Sequence, residues 1–353
     1  MYIFNPIKMK VLKSLILFPV ILCFAKLQSQ EIEAILLAKD DAQKLAKAYF
    51  DPAFKGLIFA MNNGWYHTAE VHKKFGFDLS IGGNAALIPS QYELFSIAEL
   101  GLSNNTTVLN GVTTSPTIAG SKTQTTAELQ YSTTIEGQSV TADFTLPEGI
   151  KDNLPINAIP APSVQLSVGL PYKLETIVRY VPKVGNTEVK MRLFGLGFKK
   201  EITDLLGDLG KTPLHVSLLA AYSNTSVDYE IGNTSGEVST ENASTEFDLN
   251  TYTIQAIASL NFPVFNLYGG IGYNAGNIKL NMLGTYILEY DPENNNIPNI
   301  RESVTDPISL KTSSGTMNAT IGARLSLGFF KIYGSYTLQD YSVLNAGIAF
   351  SFR

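Results

Sequence analysis

One cysteine, one tryptophan and three histidines are all that 353 residues hold of the side chains most used in redox, metal and nucleophilic chemistry. The cysteine, Cys23, lies where Lys8, Lys10 and Lys13 precede the apolar run Leu15-Ile16-Leu17-Phe18-Pro19-Val20-Ile21-Leu22, and Gln28-Ser29-Gln30 follows. That layout reads as an export signal over residues 1–29, with Met9 as a more compact start. The bulky Leu22 before Cys23 argues against lipid attachment. Removal of the signal leaves a mature chain expected to carry no thiol and no disulfide framework.

Charge is scarce as well. Asp, Glu, Lys and Arg make up 16% of the chain, the net charge is −5 and the mean hydropathy is +0.08. An acidic chain with no basic stripe is not expected to bind nucleic acid. Beyond the signal no window holds the roughly 18 to 20 consecutive apolar residues of a membrane helix. Low charge without apolar runs fits a transmembrane antiparallel β-barrel, which spreads its lipid-facing residues over alternate positions. A soluble sandwich would scatter Lys and Glu over its solvent faces, whereas Tyr, Gly and Asn dominate the polar faces here.

The alternation is regular. In the closing "LNAGIAFSFR", Leu344, Ala346, Ile348, Phe350 and Phe352 share one side of a strand against Asn345, Gly347, Ala349 and Ser351. In "YKLETIVRYV" Lys173, Glu175 and Arg179 oppose Tyr172, Leu174, Thr176, Val178 and Tyr180. In "EVKMRLFGLGF" Glu188, Lys190 and Arg192 oppose Val189, Met191 and Leu193, and Arg324 falls with Asn318, Thr320, Gly322 and Ser326. A charge facing lipid at mid-bilayer costs about 2 to 4 kcal/mol, so Lys173, Glu175, Arg179, Lys190, Arg192 and Arg324 are expected inside the barrel.

Connections follow the same scheme. Short periplasmic turns are expected at Gly328-Phe329-Phe330, Asn261-Phe262-Pro263, a helix-like piece at 199–209 and Pro171, with longer external loops at 339–341, 284–313, 223–248 and 182–187. Nine strands follow residue 162. With "FGFDLSIGGNAALI" (75–88) and two weak strands within 91–135, the expectation is about twelve, within a range of ten to fourteen. The tract 103–126, rich in Ser, Thr, Asn and Gly, reads as a mobile loop.

Residues 30–70 are set apart as a helical plug or periplasmic segment, with 71–353 as the barrel. Ile32, Ala34, Ile35, Leu36, Ala38, Ala42, Leu45, Ala46 and Tyr49 form a helical stripe that Asp51-Pro52 is expected to stop. "GWYHTAEVHKKFGFDL" (64–79) follows. His67 and His72 are five apart, which suits neither a strand face nor a helix face for paired ligands, so no metal centre is expected. Two readings remain: Trp65 and Tyr66 anchor at the rim with Lys73 and Lys74 in water, or Trp65, Tyr66 and His67 line the lumen.

The segments "AYFDPAFKGL", "GWYHTAEVHKKFGFDL", "SVQLSVGLPYKLETIVRYVPKV", "LFGLGFKKEI", "LYGGIGYN" and "SYTLQDYSVLNAGIAFSFR" together resemble an uncharacterised, domain-of-unknown-function family of gram-negative outer-membrane β-barrels. That family is similar in architecture to the FadL class of hydrophobic-compound transporters. The resemblance implies outer-membrane localisation, outer-membrane lipids and the barrel assembly machinery as partners, the latter through the C-terminal strand, and a hydrophobic ligand such as a fatty acid. It implies no cofactor, although Arg353 after Phe352 departs from the usual aromatic ending. Two alternatives stand beside transport. One is a structural or adhesive barrel acting through loops 103–126 and 223–248. The other is a lipid hydrolase or acyltransferase using His215 beside Ser217, for which no GxSxG elbow is present, and no catalytic residue is expected.

Overall fold

The computed structural model describes residues 33–154, 156–234, 238–292 and 298–352. The expected signal, Ile32 and Arg353 lie outside them. A 3-10 segment at Ile35–Asp41 leads into helix α1 (Ala42–Asn62), and an extended stretch then reaches β1 (Phe77–Leu87). Five short strands follow: β2 (Leu94–Ser96), β3 (Thr106–Val108), β4 (Thr114–Pro116), β5 (Glu128–Ile135) and β6 (Gln138–Thr145). Next come β7 (Ala158–Leu170), β8 (Leu174–Gly185), β9 (Val189–Glu201), β10 (Leu214–Gly232), β11 (Val238–Asn261) and β12 (Phe265–Pro292). The chain ends with β13 (Ile300–Thr305), β14 (Ile308–Leu327), β15 (Phe330–Leu338) and β16 (Val343–Phe352).

The wall is a closed antiparallel ring. β1 pairs with both β7 and β16, and β11 pairs with β12, so the ten strands β1, β7 to β12 and β14 to β16 leave no sheet edge at the ring's ends. Nine of them follow residue 157, but only β1 precedes it. The two further wall strands expected within 91–135 are instead short cap strands, with β2 on β4 and β3 on β5. A three-residue strand cannot cross a bilayer that takes about 9 to 11 residues.

Alternation sorts the wall into two faces. Outward on β12 are Phe265, Leu267, Ile271 and Tyr273, and outward on β14 are Leu325, Ile321 and Met317, all exposed. Aromatic pairs edge this apolar band, with Phe77 on Phe352 at 5.0 Å near the short turns and Tyr222 on Tyr252 at 5.2 Å toward the other end. The far end carries the long connections. Residues 223–248, expected as an external loop, are largely strand: β10 and β11 continue their ladder from Asn224↔Asn250 to Gly232↔Ala243. The β-branched and hydroxyl residues there suit a paired ribbon.

Helix α1 lies inside the ring, contacting β1, β7, β11, β12 and β14. Its expected stop at Pro52 is corrected: the helix runs through Pro52 to Asn62. Proline in a helix interior costs about 3 kcal/mol, which burial of Tyr49, Phe54, Ile58 and Phe59 against the inner wall offsets. Leu249, Ile278, Met282, Ile308 and Leu310 complete that apolar core.

Candidate functional site: the plug, its polar seat and a seam in the wall

Below α1 the chain descends through the lumen toward the short-turn end. Gly64 makes the bend with φ +74°, where an added Cβ would meet the Asn345 amide at 2.8 Å. Trp65 then turns to the wall. The Arg179 guanidinium stacks on its ring at 3.8 Å, and Gly195 and Gly197 make room: a Cβ at either would lie 3.0 and 3.2 Å from the indole. Tyr66 meets Tyr268 edge-on at 5.9 Å. Trp65, Tyr66 and His67 are 1%, 7% and 5% exposed, so all three sit in the lumen and none anchors at the rim.

Each following residue meets an inward wall side chain. His67 Nε2 faces Asp78 Oδ1 at 3.4 Å, its Nδ1 lies 3.0 Å from Arg324 Nη1, and its ring stacks on Tyr333. Because Arg324 can only donate, Nδ1 accepts and His67 presents N–H to Asp78. The Thr68 hydroxyl is 3.2 Å from that of Ser259, which accepts the Ala69 N–H, while Ser217 donates to the Ala69 carbonyl. Glu201 accepts the Val71 N–H at 3.1 Å. Glu175 accepts both the N–H and Nδ1 of His72 at 3.0 and 2.8 Å and pairs with Lys199 at 2.8 Å. His67 and His72 thus go to different carboxylates.

Of the expected inward charges, Glu175, Arg179 and Arg324 are buried around the plug. Arg179 donates to the carbonyls of Met61 and Asn63 at 2.9 and 2.8 Å and to Gln165 at 3.1 Å. Lys173 lies in the β7–β8 turn, where it pairs with Asp204 at 2.6 Å in solvent. Lys190 and Arg192 are corrected: they lie on the outward side, paired with Glu230 and Ser226 beyond the apolar band. Water there removes the cost that forbids an outward charge at mid-bilayer. The inward cation of β9 is Lys199, 2% exposed, which falls in phase once Phe194 and Phe198 are set toward lipid. His215 bonds Glu201 at 2.9 Å, but Ser217 is committed to Ala69, so the two do not form a dyad.

Among the described residues the wall parts between β7 and β8. β7 and β8 pair only from Leu170↔Leu174 to Gln165↔Arg179. Beyond that rung β7 stays on β1 as far as Ala158, and β8 stays on β9 as far as Gly185. Pro160 and Pro162 on one flank and Pro182 on the other have no N–H to offer across the gap, as proline on sheet edges does. Behind the seam lies α1, where a Cβ on Gly56 would come within 2.8 Å of Ile159. Arg179 stands at the seam's foot, its side chain inside.

A family model described as a family of unknown function (DUF6588) matches residues 9–352. No curated protein matches the chain. Among solved structures, the chain is similar to the attachment invasion locus protein Ail of Yersinia pestis, with 9% identity, 79% of this chain and 100% of that one covered, and a TM-score of 0.26. The outer membrane protease OmpT of Escherichia coli gives 12%, 81%, 100% and 0.29. The translocator domain of the autotransporter NalP of Neisseria meningitidis gives 9%, 90%, 99% and 0.27. The ring described above rests on this chain's own strand pairings.

Proposed function

We propose that this chain, which belongs to that family of unknown function, is an outer-membrane channel for hydrophobic small molecules such as fatty acids, similar to the FadL class. The two longest connections, β1 to β7 and β12 to β14, lie at the same end, taken as external, and the tight turns β7–β8, β11–β12 and β14–β15 at the other, taken as periplasmic, which supports the localisation. The observation that carries the transport reading is the seam between β7 and β8, which ends at Arg179. A hydrophobic solute crosses the wall there without passing through water, and the apolar surroundings of α1 receive it.

Arg179 gives the passage its polar end. A carboxylate arriving at the foot of the seam offers the guanidinium two charged acceptors in place of the Met61 and Asn63 carbonyls. Ligand binding then competes with plug seating, so the solute loosens the segment that blocks its way. Beside the apolar cluster of Trp65, Tyr66 and Ala69 with Ile177, Leu219 and Ile257, the seat of His67, Thr68, Val71 and His72 is made of polar and charged wall groups that can rehydrate once the plug shifts.

The test is mass spectrometry of lipid extracts from the mature protein, purified folded from outer membranes beside an unrelated barrel prepared identically. A hydrophobic carboxylic acid enriched in the first and depleted in Arg179→Gln supports the reading. Identical extracts from both barrels count against it.

A further inference from the structure

Two lysines face each other across the outside of the wall, well beyond the apolar band. Lys279 of β12 and Lys311 of β14 are register partners, both outward and both exposed. Like charges set directly opposite in an antiparallel pair repel. The adjoining strand offers Asp248, the register partner of Lys279, but Asp248 Oδ1 accepts the Ser226 hydroxyl at 2.7 Å. Among the described residues no acid is in ion-pair contact with either lysine. Asp248 keeps its charge beside Lys279 but closes no ion pair with it, and Lys311, one strand farther from β11, has a lysine and no acid as its register partner.

The height of the lysine pair fits one kind of anion. Counted from Phe265 at the start of β12, Lys279 stands about 35 Å up the barrel axis, at about 3.3 Å per residue and a tilt near 40°. That is about 10 Å beyond an apolar band of about 25 Å. Between the band and the lysines, Asn277 and Ser313 are outward register partners, so uncharged hydrogen-bonding groups come first and cations second. Acyl chains against Ile271, Tyr273, Met317 and Ile321, sugar hydroxyls at Asn277 and Ser313, and a phosphate between the lysines match that sequence.

We propose that Lys279 and Lys311 bind the phosphate of a phosphorylated glycolipid in the outer leaflet. The site rests on the long-connection end being external, as in the transport reading, but not on transport itself. A free phosphate ion would satisfy the cations yet leave the amide and hydroxyl row and the apolar band beneath it unused.

The experiment uses full-length mature protein extracted from outer membranes in detergent and washed, with bound phosphorylated glycolipid and phosphatidylglycerol measured per barrel by mass spectrometry. Lys279→Gln/Lys311→Gln should retain about ten-fold less glycolipid than the wild type, while Lys200→Gln, an exposed lysine at the short-turn end, should retain the wild-type amount. Heat-dependent gel mobility checks that each barrel is folded. Equal retention by the double variant, or an equal loss in Lys200→Gln, overturns the site. Phosphatidylglycerol held in place of the glycolipid and lost on the same substitutions overturns the choice of lipid. Hydrophobic acids scored in the same extracts report separately on the transport reading.

Discussion

The Arg179 guanidinium lies 3.8 Å from the centroid of the Trp65 ring and, with its two terminal nitrogens, holds the carbonyls of Met61 and Asn63. One wall residue thereby fixes both the end of α1 and the start of the descending segment. Since Trp65 is the only tryptophan, its fluorescence reports on that seat alone.

Arg179→Ala should shift the emission to the red and raise acrylamide quenching, with a loss in stability of about 1 to 3 kcal/mol for each buried carbonyl it orphans. Arg179→Lys should recover little, because an ammonium cannot both stack and fork. The wall pairings are untouched, so heat-dependent gel mobility should remain that of a folded barrel. An unchanged emission in Arg179→Ala would contradict the contact.

Gly195 and Gly197 are the space that Trp65 occupies. A Cβ at Gly195 would stand 3.0 Å from the indole, so Gly195→Val should cost about 1 to 3 kcal/mol through overpacking. Pairing it with Trp65→Leu should restore the part due to the ring, while the contacts with Ser223 and Arg179 at 3.1 and 3.3 Å remain. A Gly195→Val variant with wild-type unfolding midpoint and emission would show that the ring is not held there.

Glu175 and Lys199 form a buried pair at 2.8 Å. Removing only the cation, in Lys199→Met, leaves the buried Glu175 carboxylate with its His72 hydrogen bonds alone and should destabilise by up to about 3 kcal/mol. The double variant Glu175→Gln/Lys199→Met should be more stable than that single one, measured as urea unfolding midpoints of the refolded barrel. A strictly additive cycle would mean the two groups do not depend on each other.

How much of this was legible in the sequence depends on which forces set each feature. The inward positions of Glu175, Arg179 and Arg324 followed from alternation alone, because a mid-bilayer charge decides the phase of its strand. Arg192 misled for the same reason: beyond the band an outward charge costs nothing, and Phe194 and Phe198 carried the phase that exposes Lys199. Pro52 read as a helix stop because local sequence does not report burial inside a ring. The seam left a signal in Pro160, Pro162 and Pro182, all within strands, that alternation did not weigh. The descending path of 63–72 had none, since its partners come from strands far apart in the chain.

Acid should loosen the cap before the wall. Burial works to raise the Asp41 carboxyl, but hydrogen bonds from the Ser103 and Thr106 hydroxyls and the Ser103 N–H outweigh it and leave the pKa lowered. A lowered folded-state pKa gives stability that is present above the unfolded value of 3.8 and is lost as pH falls through the folded one. Proteolysis within residues 98–110 should therefore rise on acidification in the wild type. Asp41→Asn should be cut faster at neutral pH and respond less to acid. An equal pH response in both would contradict the assignment.

The central claim is that the segment below α1 must move for a solute to pass. The hydroxyls of Thr68 and Ser259 lie 3.2 Å apart, one on the plug and one on β11, so Thr68→Cys/Ser259→Cys places two sulfurs where a disulfide can join plug to wall. Uptake of a fluorescent fatty-acid analogue by proteoliposomes should fall to the rate of protein-free vesicles when the pair is oxidised and return to the wild-type rate on reduction. Equal uptake with the crosslink closed and open would contradict the account.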